Sequence, residues 1–169
     1  VVSTVLACSA CASMPVADPA VEGDQPETLE KITIPASIFE FANSDIEDNF
    51  EEFSDYCYSV ERDGNDLILG VTPPQKEELI EMYAASIDDV LETMTEEEPG
   101  YYVETDKDHS RFVYHYDEKI DNVLQARMLL TITTSDVLIG ILETKDPNWN
   151  VQARIVNCHT GLAVGETTF

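Results

Sequence analysis

"DEKIDNVLQARMLLTITTSDVLIGILETK", Asp117 to Lys145, is the stretch on which the fold turns. Its Thr and Ile content favours a strand. Its length and spacing favour a helix, with Ile120, Leu124, Met128 and Ile132, then Leu138 and Leu142, returning to one side. We read it as a helix, broken near Thr133 to Asp136. Arg127 and Asp136 lie inside the apolar run, and each costs about 2.5–3.5 kcal/mol at a bilayer centre. A buried core helix is therefore the reading, not a membrane span.

Working upstream, Tyr101–Thr105 and Arg111–Tyr116 read as a hairpin about a polar turn. The helix before it has the clearest start in the chain. Thr72 is the N-cap, Pro73 takes the first helical position and Gln75 completes a capping box. Leu79, Tyr83, Ile87, Val90, Leu91 and Met94 then give the apolar stripe. Tyr56–Val71 reads as another hairpin, turning at Asp63-Gly64-Asn65-Asp66, where Gly64 is free to take positive φ. Asn43–Asp55 reads as a short helix capped by Asn43 or Ser44, with Ile46, Phe50 and Phe53 inward. Ile32 and Ile34 mark a first strand that Pro35 stops. Downstream, Asn150–Asn157 alternates Val151, Ala153 and Ile155 inward, Cys158 to Gly161 turn, and "LAVGETTF" returns. The expected class is α+β: an antiparallel sheet of about five or six strands with two longer helices packed on one face.

Nine Lys and Arg face 34 Asp and Glu, a net charge of −25. That excludes nucleic acid as a partner, because phosphates need cations to replace their counterions. It equally opposes adsorption to anionic lipid. Carboxylates are too disordered in spacing for a calcium loop: Asp63, Asn65 and Asp66 lack the loop order, and Glu96–Glu98 is a run at a helix end. No metal and no cofactor are expected.

The chain opens "VVSTVLACSACAS". Val1–Ala7 is short of the about 20 apolar residues that span a bilayer, and reads as the end of a signal peptide. Two processing readings compete. Val5-Leu6-Ala7-Cys8 is a lipobox with Cys8 the lipid-bearing residue, Cys11 being the other candidate. Alternatively Ala10-Cys11-Ala12 is an A-x-A cleavage site and the product is secreted. The lipoprotein is preferred, because small residues flank both cysteines and a tether follows. That tether, "SMPVADPAVEGDQPETLE", is rich in Pro, Ala and acid. About 20 such residues reach at most ~70 Å at ~3.3–3.6 Å each. The expected layout is 1–12 signal peptide and lipobox, 13–30 linker, and 31–169 one domain, held outside the cell with the lipid as its only membrane contact.

"ITIPASIFE" (Ile32–Glu40), "VERDGNDLILGVTPPQKEELIEMYAASIDDVL" (Val60–Leu91) and "RIVNCHTGLAVGE" (Arg154–Glu166) together resemble a family of small acidic lipoproteins of clostridia and related Gram-positive bacteria. The likeness runs from Glu30 to Phe169 and rests on the order and spacing of these segments. It implies a lipid anchor, an acidic linker and a small surface domain. It implies no activity; some members are described as antigen I/II N-terminal-like.

Chemistry-bearing residues are few. Cys158 and His159 are adjacent in a turn, where side chains usually diverge, and a nucleophilic pair needs them to converge. G-x-S-x-G, S-x-x-K and H-E-x-x-H are absent. Cys57 and Cys158 are left as a disulfide pair or two free thiols. His109 falls in a charged turn and His115 on the polar register of its strand. Phe112, Tyr114 and Tyr116, with Tyr56, Tyr58, Tyr101, Tyr102 and Trp149, are either the core face under the helices or a ligand-binding platform. The expectation is a non-enzymatic domain binding a surface or wall ligand or a protein. The rivals are a secreted inhibitory module and a cell-wall hydrolase. A hydrolase would gather His115 or His159 with carboxylates in a concave pocket.

Overall fold

A computed structural model gives the fold and describes residues 28–97, 102–106, 110–119 and 122–169. Seven strands and four helices follow in the order β1 (Glu30–Ile34), α1 (Ala36–Ala42), α2 (Ile46–Tyr56), β2 (Ser59–Asp63), β3 (Asp66–Val71), α3 (Pro73–Glu97), β4 (Tyr102–Thr105), β5 (Arg111–Tyr116), α4 (Asn122–Thr144), β6 (Gln152–Asn157) and β7 (Ala163–Thr168). The class is α+β, and its two longer helices are α3 and α4. The strands form two sheets rather than one. β1-β3-β2 is antiparallel throughout; β4-β5-β6-β7 has a parallel pair, β5 with β6, at its centre. The parallel pair follows from α4, whose length carries the chain back to the starting end of the sheet.

The two helices form the seam of the molecule. α3 packs along α4; α4 also touches β1 and α1, while α3 reaches β3 and β4. α4 is continuous, so the expected break is absent. Burial explains this: Ile132, Thr133, Ser135, Asp136 and Val137 are enclosed by the fold, and the Thr133 hydroxyl is satisfied by the Leu129 carbonyl four residues back. By length and composition Val123–Thr144 could cross a membrane. Here Ile132, Val137 to Leu142 and the polar Gln125, Thr133, Ser135 and Asp136 are buried inside the fold. A helix apolar on nearly every side needs such a setting. Gly140 is its thinnest point, and a β-carbon there would overlap the indole of Trp149.

Local signals place the remaining elements. Thr72 N–H donates to Gln75 Oε1 at 3.0 Å and Gln75 N–H returns to Thr72 Oγ1 at 3.4 Å, the predicted capping box. The β2–β3 turn has Gly64 at φ 64. α2 is capped by Asp45, not Asn43 or Ser44: Asp45 accepts from Glu47 N–H at 2.8 Å. Asn43 instead ends α1 at φ 52. α1 was not expected; Pro35 stands at its N-cap, and Asp66 Oδ1 accepts from Ala36 N–H at 2.8 Å.

Glu30 opens β1, and its carboxylate holds Lys76 at 2.7 Å and Lys145 at 3.2 Å. It thereby ties β1 to the start of α3 and the end of α4. Ile32 and Ile34 stand opposite Leu69 and Leu67, all four buried.

Candidate functional site

β5 and β6 run side by side, so the residues that follow them emerge together. Asp117 follows β5; Cys158 and His159 follow β6. The carboxylate of Asp117, Sγ of Cys158 and a ring nitrogen of His159 all lie within 4.8 Å of one another. Adjacent Cys158 and His159 therefore converge, against expectation. The cause is Asn157, whose side-chain oxygen accepts from the backbone N–H of both His159 and Thr160 at 3.0 Å. Cys158 N–H meanwhile donates across the sheet to Tyr116 O at 2.9 Å.

Asp117 is fixed more firmly still. Gln125 of α4 receives the Asp117 N–H at 3.0 Å and donates to its carbonyl at 2.7 Å. The same Gln125 oxygen lies 3.1 Å from the Tyr114 hydroxyl, which donates to it. Asp117 Oδ1 accepts from Lys119 N–H at 2.9 Å and lies 2.9 Å from His159 Nε2. The Lys119 amide and the imidazole hold this carboxyl below its ordinary range. An ionised carboxylate only accepts, so the Nε2 proton points at Asp117. Burial and the charge of Asp117 push the Cys158 thiol up. A nucleophilic cysteine needs a lowered pKa, and this arrangement raises it.

A second feature lies on the face of the four-stranded sheet away from Phe112 and Tyr114, which are buried as core. Arg111 stands opposite Gln152 and Val113 opposite Arg154 across the parallel pair. Gln152 in turn faces Thr168, and Arg154 faces Glu166. These six side chains line a trough of about 560 Å³. A smaller one beside it, about 250 Å³, is lined by Trp149, Asn148 and Asn150 and shares Arg111 and Gln152. Along the same sheet His115 stacks on Tyr102, rings 4.0 Å apart, and Glu104 stands 3.4 Å from its Nε2 without hydrogen-bond geometry.

The other sequence candidates are placed as follows. Cys8, Cys11, Tyr101 and His109 lie outside the described residues. Cys57 and Cys158 are both free, so the disulfide alternative is not taken up. Cys57 closes α2 beside the three-stranded sheet, while Cys158 belongs to the β6–β7 turn of the other. Burial pushes the Cys57 thiol up to about 11. Asp63 to Asp66 make the hairpin turn, and Asp66 serves α1. Tyr58 and Tyr102 are exposed. Asp117 is the residue that reading the sequence missed. Its signal was the strand–helix–strand order from Arg111 to Asn157, which implies parallel neighbours and adjacent strand ends. No protein-family model, curated protein or solved structure matches this chain.

Proposed function

We propose that this chain is the binding domain of an extracytoplasmic lipoprotein. Diacylglycerol on Cys8 anchors it, the acidic segment before Glu30 tethers it, and the domain holds a wall or surface ligand without transforming it. The resemblance to the clostridial lipoproteins supports the anchor and the layout. The trough on the open sheet face supports the binding role, and is the observation that carries it. In a chain with nine Lys and Arg, two arginines flank this one trough, beside the amides and hydroxyls of Gln152 and Thr168. Guanidiniums fit a carboxylate-bearing ligand, which would compete with Glu166 for Arg154, while the surrounding acid repels polyanions. The raised Cys158 thiol at the neighbouring strand ends weighs against the hydrolase reading. A protein partner is the second reading, favoured by Leu162 and Val164, which are 68% and 58% exposed on the edge strand and its turn.

Two measurements test the proposal. Full-length wild type, Cys8→Ala and Cys11→Ala are expressed in a Gram-positive host and fractionated. Release by Cys8→Ala alone supports the anchor; soluble wild type refutes it. For binding, soluble peptidoglycan fragments are titrated while the emission of Trp149, the chain's single tryptophan, is followed. A saturable change lost in Arg111→Ala and Arg154→Ala is expected. Arg154 pairs with Glu166 at 3.4 Å on the surface, so its removal leaves the fold intact. No saturable change, or one that survives both substitutions, refutes the wall-ligand reading of the trough.

A further inference from the structure

We propose that Asp117, Cys158 and His159 form a zinc site with three protein ligands and a fourth position open to solvent. The donor set is the first argument. Calcium and magnesium require oxygen ligands, and only one of these three residues offers oxygen. One sulfur, one imidazole nitrogen and one carboxylate oxygen together suit zinc.

Geometry is the second argument. Zinc arms of about 2.0–2.3 Å place tetrahedral donors roughly 3.3–3.8 Å apart. The three donor atoms already lie within 4.8 Å. The widest separation therefore closes by roughly 1 Å, and His159, whose side chain is 41% exposed, is free to make that movement. In doing so Nε2 exchanges its contact with Asp117 for the metal, its proton moves to Nδ1, and the thiol proton of Cys158 leaves to solvent. The carboxylate and thiolate then balance the two charges of the ion.

The third argument is the support behind each ligand. Gln125 clamps both backbone groups of Asp117 from α4, and Asn157 fixes the turn that carries Cys158 and His159. A bound ligand set usually has such outer partners, which hold it in orientation. Asp117 forms the buried floor of the site and His159 its exposed rim, giving the ion a path in from solvent. Zinc here would join the segment after β5 to the turn after β6, independently of any lipid anchor or sheet-face ligand.

The test uses the whole chain with Cys8→Ser and Cys11→Ser, which removes the other closely spaced thiols. Cobalt(II) is added first as a spectroscopic substitute, then zinc is titrated against a chromophoric chelator. We expect one ion per chain, a thiolate-to-cobalt charge-transfer band, and its loss in Cys158→Ser. His159→Gln, at an exposed position that circular dichroism will show folded, is expected to weaken zinc at least about 10- to 100-fold. Absence of the band, its persistence in Cys158→Ser, or unchanged zinc affinity in both variants overturns the proposal. In the last case the ion is held by surface carboxylates.

Discussion

Gly140→Ala should destabilise this protein, although alanine is the better helix former. Gly140 lies inside α4, buried, with Trp149 laid across it. The added methyl would overlap Nε1, Cδ1 and Cε2 of the indole. Helix propensity favours the substitution by about 0.8–1 kcal/mol. Overpacking opposes it by about 1–3 kcal/mol. If the indole swings out instead, losing about 100 Å² of apolar contact at ~25 cal/mol per Å² costs about 2.5 kcal/mol. The first route leaves a net loss of about 0–2 kcal/mol and the second about 1.5 kcal/mol, so the Tm falls by up to about 8 °C at this size. Urea and thermal melts measure the loss. Trp149 emission reports the cause, since a displaced indole shifts to the red. In a Trp149→Ala background the clash is gone, and Gly140→Ala should then stabilise by about 0.5–1 kcal/mol. A single Gly140→Ala variant as stable as wild type, with unshifted emission, would refute the packing argument.

Three further outcomes are expected. Thr72→Ala removes one half of the capping box and should cost about 1 kcal/mol, read as a lower urea midpoint with an unchanged slope. The Glu30 carboxyl is held below its ordinary value of 4.5 by hydrogen bonds from Lys76 and Lys145; its stabilisation is full above that value and is lost as pH falls through the lower, folded one. Glu30→Gln should therefore flatten the acid limb of stability against pH, and an unchanged limb would show that the carboxylate bridge contributes nothing. Iodoacetamide should label Cys158 before the buried Cys57, and Asp117→Asn, by removing the charge that raises the Cys158 thiol, should speed labelling at Cys158 alone; mass spectrometry of peptides resolves the two.

Short-range chemistry was legible in the sequence and long-range pairing was not. Thr72, Pro73 and Gln75 announce α3 because capping is settled within four residues. The length and spacing of Asp117–Lys145 carry α4, although Thr133 and Asp136 argue locally for a break that tertiary burial overrides. α1 escaped because seven residues after a proline hold too few turns for a period to show. The division into two sheets depends on which strand edges meet, and alternation within a strand carries no address for its partner. The candidate metal ligands suffered from the same gap. Cys158 and His159 are neighbours in sequence, but Asp117 becomes relevant only through the β5–β6 register, which brings it across 41 residues of chain to Cys158.

That register also has a kinetic side. The three-stranded sheet is complete by Val71, from strands that are near in sequence. The core of the second sheet waits for β6, which reaches β5 only after the whole of α4 has intervened. Closing so long a loop is an entropic cost that must be met before any strand contact repays it. During synthesis Phe112 and Tyr114 therefore leave the ribosome well before Ala153 and Ile155, their register partners on the parallel strand, exist. The slow step of folding, and the interval most open to aggregation or to a chaperone, should lie between the emergence of α4 and the docking of β6.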